Sequence, residues 1–292
     1  MTGGLFLALD WGNSNLRAAV VDAGGTAHAS FSAADGCSGL GPGDFAARLA
    51  AVRAALGAEA LPALACGAVG AREGWVEVPY VPLPARPIAV AAALGLLPDA
   101  RIHIVPGLSV PVPPRAILRG EESQLLGLDL AQGRVCLPGT HSKWVTLEKG
   151  VIAGFESYQT GEMFGLVTHH TRIGAEGDVD DPAGFAFGLA LADSRAPLTA
   201  SLFAIRTDRI LGALPDSQST AAIAGLLIGA EVAHALARPT PGPLLLCGEP
   251  AMTRRYRIAL ARHGVEAVEE DGTRAAWRGL ARIACDAGLI HG

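Results

Sequence analysis

The stretch LFLALDWGNSNLRAAVVD, Leu5–Asp22, sets two apolar runs either side of the polar bend Asp10-Trp11-Gly12-Asn13-Ser14-Asn15. A second stretch, RVCLPGTHSKWVTLE at Arg134–Glu148, repeats the plan around Pro138-Gly139-Thr140-His141-Ser142-Lys143. Each reads as strand, turn, strand. Glycine adds no side-chain bulk at such a turn, and successive backbone amides there form a concavity that accepts anions. Both copies gain a third strand: Gly24-Gly25 turns into Ala27–Phe31, and Glu148-Lys149-Gly150 turns into Val151–Glu156. A strand meander with interleaved helices, occurring twice, predicts two α/β lobes with mixed sheets and a ligand in the cleft between them. The boundary is placed at 118/119, giving an N-terminal lobe of 1–118 and a C-terminal lobe of 119–292.

The segments around the hairpins supply the cover. Phe45, Leu49, Val52 and Leu56 recur at helical spacing and predict a helix over Pro42–Leu56. Pro62–Ala68 reads as a buried strand, Ile88–Leu97 as a helix and Ile102–Val105 as a strand. The proline-rich segments Pro79–Pro87 and Pro106–Pro114 predict extended chain. A helix starts at Glu121 and runs to Leu130, under an acidic first turn. Beyond Gly161 the pattern is mainly helical, over Met163–Thr171, Ala183–Asp193, Leu198–Leu211, Ala221–Ala237, Met252–His263 and Arg274–Ala287. Leu244–Cys247 and Val265–Glu269 read as strands.

Composition narrows the partners. The 292 residues are 50% hydrophobic and 17% charged with net charge −5, enough for a large core and without the basic footprint of a nucleic-acid binder. Five scattered cysteines lack metal-ligand spacing and read as small buried hydrophobes of a reducing compartment. Asp10 interrupts the N-terminal apolar run, and Glu231 and His234 interrupt the later one at Ala221–Ala237, which reads as a buried helix rather than a membrane span. The expectation is a cytoplasmic protein with small-molecule partners, without nucleic acid or membrane, and with a homodimer as candidate assembly.

Phosphoryl transfer needs donors around the phosphates, a carboxylate for Mg²⁺ and an oriented acceptor hydroxyl. Asp10, at a strand end, is the candidate catalytic carboxylate and metal ligand, holding hydrated Mg²⁺. Gly12, Asn13 and Ser14 are candidates for ATP phosphate contacts, and Asn15 and Arg17 for the substrate. In the second bend Gly139, Thr140 and His141 are the matching phosphate contacts, and Lys143 is the catalytic cation. Gly248, ending the run Leu244-Leu245-Leu246-Cys247, is the candidate adenosine platform. Each bend alone also reads as an ordinary turn whose Asp or Asn bonds local amides; the repetition favours a site. No GxxxxGK[ST], HRD or DFG pattern is present.

The two bends and the Leu-rich glycine turn, in that order, resemble the phosphate and adenosine motifs of the superfamily of sugar kinases, heat-shock ATPases and actin. More narrowly, LDWGNSNLRAAVVD, RGEESQ, LPGTHSKWV and FESYQTGEMFGLV resemble the 2-dehydro-3-deoxygalactonokinase family over nearly the whole chain. The resemblance implies a two-lobed actin-like ATPase fold of duplicated ribonuclease H-like domains with an interlobe cleft. It also implies transfer of the ATP γ-phosphate to the C6 hydroxyl of 2-dehydro-3-deoxy-D-galactonate. An anionic substrate calls for Arg17, Arg72, Arg119 or Lys143. Trp75 and Trp11 pack on the sugar or fill the core. Many relatives carry an Asp near the second bend; here that place has none, so the base stays open among Asp10, Glu121 as a catalytic candidate, and Glu122, which is also a candidate substrate contact. The alternatives are a kinase for another sugar or sugar acid, and a non-enzymatic actin-like assembly or sensor protein. The acidic run Glu176, Asp178, Asp180, Asp181 does not fit an EF-hand and reads as a solvated loop.

Overall fold

The computed structural model describes residues 4–41, 43–194, 196–238 and 242–291. Its first strands are β1 (Phe6–Trp11), β2 (Leu16–Val21) and β3 (Ala27–Ala33), paired antiparallel in sequence as the meander predicts. Helix α1 (Asp44–Leu56) follows and buries Phe45, Leu49 and Val52, ending at Gly57 in the left-handed conformation that glycine adopts most readily. Pro42, included in the predicted helix, lies outside the described residues. Next come β4 (Ala63–Cys66), β5 (Val81–Pro82), α2 (Pro87–Ala92), β6 (Gly95–Leu97), β7 (Ile102–Ile104), β8 (Leu108–Val110), β9 (Ala116–Leu118) and α3 (Glu121–Leu126).

Two expectations fail here. The helix expected over Ile88–Leu97 stops at Ala92, and Gly95–Leu97 instead pairs antiparallel with β7, Leu96 opposite His103. Gly95 sits so close to Val78 that an added Cβ would lie 2.5 Å from its Cγ2. Helix α3 ends at Leu126 rather than Leu130, with Gly127 at its C-cap; Gly127 abuts the backbone of a later helix, where a Cβ would lie 1.8 Å from Ala275 O.

The second half holds β10 (Gly133–Leu137), β11 (Ser142–Glu148), β12 (Val151–Tyr158), α4 (Thr160–His170), α5 (Pro182–Asp193), α6 (Leu198–Ile210), α7 (Ser219–Leu236), β13 (Leu244–Gly248), α8 (Pro250–Ala261), β14 (Val268–Asp271) and α9 (Gly272–Asp286). One sheet has the order β3-β2-β1-β4-β7-β6 and another β12-β11-β10-β13-β14; β5, β8 and β9 form a small third sheet. The first five positions of the two large sheets correspond strand for strand, and β1/β4 and β10/β13 are both parallel pairs. The duplication read from the two hairpins is a duplicated topology.

Contacts divide the chain into two compact units, Met1–Gln132 with Thr146–Phe155 and Asp271–Gly292, and Gly133–Val145 with Glu156–Glu270. This differs from a single cut at 118/119. Helix α9 belongs to the first unit because it lies against α3, where Gly127 and Gly279 let the two backbones touch. The first unit's core gathers Leu7, Leu9, Trp11, Leu16, Phe45, Val52 and Ile104. The second unit buries Trp144, Phe185, Leu189, Ile228 and Tyr256, beside a cluster of Leu202, Ile205, Ile223 and Leu226.

Helix α7 is long and apolar enough to cross a membrane by composition, yet most of it is buried inside the protein. Cys37, Cys66, Cys136 and Cys247 are buried free thiols, as expected, and Cys285 is partly exposed. The acidic run is more than a solvated loop. Asp181 caps α5 by accepting from the Gly184 N–H at 2.8 Å, Asp180 binds Arg255 at 2.8 Å, and Glu176 binds Arg209 at 3.2 Å.

Candidate active site

In the first unit Asp10 is the last residue but one of β1, with Cys66 opposite it on β4 and Arg17 opposite it on β2. Arg17 Nη1 lies 3.8 Å from Asp10 Oδ2, and Cys66 Sγ lies 3.9 Å from Oδ1. The Asp10 side chain keeps 29% of its surface exposed. Desolvation holds its pKa above the ordinary carboxylate value; Arg17 pulls it back, and the negative charge of Glu121 pushes it up again. The structure therefore brings Asp10, Arg17 and Glu121 into one electrostatic group.

The bend that follows is held from behind. Gly12 N–H donates to Asn15 O at 3.0 Å, while the carbonyls of Gly12 and Asn13 accept from the N–H groups of Cys37 (2.9 Å) and Ser38 (3.1 Å). Ser38 Oγ also donates to Asn13 O, at 2.9 Å. A Cβ on Gly36 would lie 2.3 Å from Asn13 O, so the supporting turn approaches this closely only with glycine. With those carbonyls occupied, Asn13, Ser14 and Asn15 stand exposed at the end of the sheet.

The start of α3 sorts the remaining candidates. Glu121 Oε2 accepts from the Arg119 N–H (3.0 Å) and Glu122 Oε2 from the Gly120 N–H (2.6 Å), so both acids bond back to the bend before the helix. Glu122 is fully buried rather than facing solvent, and its Oε1 has no hydrogen-bond partner. Burial above all, with help from Glu121, pushes its pKa up to about 8. Arg119 donates to Val78 O at 2.6 Å and to Val105 O at 3.5 Å, and lies 4.4 Å from the centroid of the Tyr80 ring. Trp75 stacks on Phe45 with centroids 5.7 Å apart and meets Trp11 edge-on at 6.3 Å. Of the candidate substrate contacts, Glu122, Arg119 and Trp75 thus make packing or backbone contacts, whereas Arg72 and Asn15 are exposed and Arg17 stays beside Asp10.

In the second unit, the parallel register of β10 and β13, Cys136 opposite Leu246, sets the Pro138–Lys143 bend beside Gly248. A Cβ on Gly248 would lie 3.5 Å from Pro138 Cδ. Helix α4 backs this bend: Glu162 N–H donates to Thr140 O at 3.0 Å, and His141 Nε2 lies 2.7 Å from Glu162 Oε2. A Cβ on Gly161 would lie 2.4 Å from Gly139 O. Thr140 and His141 are exposed, whereas Lys143 is 4% exposed, with Nζ donating to His141 O at 2.8 Å. Sequence reasoning assigned no role to Glu162 or to Glu231, whose carboxylate accepts from Ser142 Oγ at 2.7 Å. The signal for Glu231 was present, as the lone acid of an apolar helix, a place where carboxylates are rare unless partnered.

Among the described residues no three His, Cys, Asp or Glu side chains gather as a metal cage. A single partly exposed carboxylate, Asp10, with a second acid nearby, suits Mg²⁺ that keeps most of its ligands as water and phosphate oxygens.

The comparisons with known proteins decide the family. Residues 10–283 match the family model for 2-keto-3-deoxy-galactonokinase. The chain belongs to this family. A "Probable 2-dehydro-3-deoxygalactonokinase DgoK1" of Rhizobium meliloti (strain 1021) is 34% identical over 97% of each chain. The 2-dehydro-3-deoxygalactonokinase of Escherichia coli (strain K12) is 33% identical over 96% of this chain and 97% of its own. The crystal structure of a Sinorhizobium meliloti protein provisionally assigned as a 2-dehydro-3-deoxygalactonokinase superposes with a TM-score of 0.88 at 32% identity, covering 96% of this chain and 98% of that one. Fold alone is shared with the activator of the 2-hydroxyisocaproyl-CoA dehydratase from Clostridium difficile, solved with bound ADPNP (TM-score 0.54, 11% identity, 98% and 95% covered). The family member described here has the actin-like ATPase fold, with mixed sheets and flanking helices.

Proposed function

We propose that the protein is an ATP-dependent kinase that phosphorylates the C6 hydroxyl of 2-dehydro-3-deoxy-D-galactonate, giving the 6-phosphate in the cytoplasmic breakdown of galactonate. The observation that carries this reading is the pair of bends at corresponding positions of a duplicated sheet, one acidic and one basic, in a chain of this family. The second bend, through the amides of Gly139, Thr140 and His141 and the ammonium of Lys143, holds the ATP phosphates. Gly248 lets the backbone lie close to the adenosine. Gly12, Asn13 and Ser14 supply the matching contacts from the first bend.

Asp10 is the carboxylate placed at the accepting hydroxyl, where it orients the hydroxyl and takes its proton as the phosphoryl group arrives. A pKa held above the usual carboxylate value suits a proton acceptor, and Glu121 helps to keep it there. Asp10 would also hold hydrated Mg²⁺, which would neutralise charge on the transferring phosphoryl group. Arg17, Asn15 and Arg72 bind the sugar acid, the guanidinium groups being suited to its carboxylate. Arg119 and Glu122 fix the bend from which Glu121 projects. Phosphoryl transfer depends chiefly on positioning and charge stabilisation, so one modest base is sufficient.

A coupled ADP-release assay over a panel of 2-keto-3-deoxy acids and aldoses, with phosphorus NMR of the product, tests the assignment. The expected result is preference for 2-dehydro-3-deoxy-D-galactonate and a C6 phosphomonoester. Preference for an aldose, or ATP-driven sedimentation without acceptor phosphorylation, removes it.

A further inference from the structure

Helix α7 reads STAAIAGLLIGAEVAHAL, and its one acid, Glu231, is 4% exposed in the second unit. Its Oε2 accepts hydrogen bonds from Ser142 Oγ (2.7 Å), Tyr256 OH (2.9 Å) and Thr160 Oγ1, and its Oε1 accepts from Trp144 Nε1 (2.7 Å). The four donors have a pattern. Ser142 and Trp144 open β11 directly after Thr140-His141, and Thr160 opens α4, whose next two residues are Gly161 and Glu162. Gly161 and Glu162 are the residues that press on and bond to Gly139, Thr140 and His141. Tyr256, on α8, is remote from the bend in sequence, but its hydroxyl shares Glu231 Oε2 with Ser142 and meets the Ser142 side chain.

Burying a carboxylate is costly, and replacing a buried ionic group by an apolar side chain of similar volume is often neutral or stabilising. An acid that only filled space in α7 would have no advantage over leucine. What Glu231 does that leucine cannot is gather the strand after the bend and the helix behind it onto one oxygen atom.

We propose that Glu231 is the positioning residue of the nucleotide bend. By fixing Ser142 and Thr160 together it sets the spacing between β11 and α4, and with it the orientation of the Gly139–His141 amides and of Lys143 toward the ATP phosphates. The inference rests on the assignment of this bend to ATP.

The test uses the full chain carrying Glu231→Gln. Glutamine keeps the side chain's shape but has one accepting oxygen, which the indole N–H of Trp144 requires because it can only donate. The amide nitrogen then faces the three hydroxyls, and the oxygen clamp is lost. Isothermal titration calorimetry with ATP is expected to show Kd raised about tenfold, as loss of hydrogen bonds worth ~1–2 kcal/mol implies. KM for ATP rises with it, while KM for the sugar acid is unchanged. Ser142→Ala and Thr160→Val raise the ATP Kd in the same direction and add little to Glu231→Gln, whereas Tyr256→Phe, which leaves the Ser142 and Thr160 bonds to Glu231 in place, lowers the melting temperature and moves the ATP Kd least.

A Glu231→Gln protein that melts lower but binds ATP like the wild type overturns the proposal. Should that variant fail to fold, wild-type affinity in both Ser142→Ala and Thr160→Val overturns it equally. Absence of ATP binding by the wild-type protein is a separate outcome, since it removes the nucleotide assignment itself and this inference with it.

Discussion

The two bends occupy the same place in two sheets of the same strand order, yet their chemistry has diverged. The first begins with a carboxylate whose proton affinity burial has raised, with Arg17 at 3.8 Å as a loose counter-ion. The second bears a buried lysine and an exposed histidine, and is gripped by the start of α4. Support differs too. The backbone amides of Cys37 and Ser38, with the Ser38 hydroxyl, hold the first bend, whereas the second is held by the Glu162 backbone N–H and in addition by carboxylates reaching from α4 and α7. Duplication supplies two equivalent glycine turns; what then separates them is which charge each presents and what stands behind it. An acid suits an accepting hydroxyl and a cation suits a polyphosphate, and the proposed division of labour follows from that difference.

The sharpest way to break the comparison is Asp10→Asn. Asparagine keeps the shape and removes both the proton acceptor and the charge, so kcat is expected to fall about a thousandfold, in the range seen when a group acting only in the transition state is removed. Because the wild-type carboxylate is desolvated, thermal stability at neutral pH is expected to hold or rise. Stopped assays and differential scanning calorimetry on one preparation check both halves. A normal kcat would remove the distinction between the bends.

Glu122→Gln tests the other acid that the first unit buries, the one behind the candidate site. The folded pKa is raised from 4.5 to about 8, so between those values the native protein binds more protons than the unfolded chain. Stability is then fully present below about pH 4.5 and falls as pH rises toward 8, by an amount on the order of a few kcal/mol. Glutamine does not titrate, and the variant should lose little over the same window. Urea midpoints at mildly acid, neutral and mildly alkaline pH should therefore diverge, with the variant ahead at the alkaline end. Parallel curves would show that Glu122 does not titrate in this window.

How far these differences could be read beforehand varies residue by residue. The hairpins were legible because short apolar runs around a polar bend with a central glycine are local properties of the chain. The edge strand Gly95–Leu97 was not, since its apolar residues suit a helix equally well and only pairing with β7 decides. The return of α9 to the first unit depends on Gly127 and Gly279, more than 150 residues apart in the chain, meeting at a helix crossing. Within the site, Asp10 and the glycines were legible from their place at strand ends. The inward turn of Glu122 was not, because it follows from the positive φ of Gly120 (102°) and the bond back to its N–H, features of the folded bend. Lys143 could be read as a cation but not as a buried one, and Glu231 could be seen as out of place in α7 but not matched to its four donors.

Gly161→Ala tests the support of the second bend from its backbone side. The new methyl group would lie 2.4 Å from Gly139 O, and neither α4 nor the bend has a flexible side chain there to move aside. Overpacking of this kind costs ~1–3 kcal/mol. ATP affinity should weaken along with stability, while the affinity for the sugar acid, assigned to the first unit, should not change. Calorimetric titration with each ligand separates the two, and equal loss for both would show that the units do not divide the substrates as proposed.

The smallest effect belongs to the pair on the outer side of the same bend. His141 and Glu162 face each other at 2.7 Å, but their side chains are 49% and 44% exposed, so water screens and competes for the contact. Exposed pairs of this kind contribute ~0–1 kcal/mol. His141→Gln should therefore lower the melting temperature by no more than a few degrees, with ATP KM rising a few-fold at most, through a shift of the His141 amide that itself survives the change. Glu162 should behave differently in Glu162→Gln. Its backbone N–H, which holds Thr140 O at 3.0 Å, survives the change, so ATP KM should move less than in His141→Gln. If Glu162→Gln proves the more damaging of the two, the bend is held by the His141–Glu162 side-chain pair rather than by the backbone of α4, and the contrast with the first bend widens.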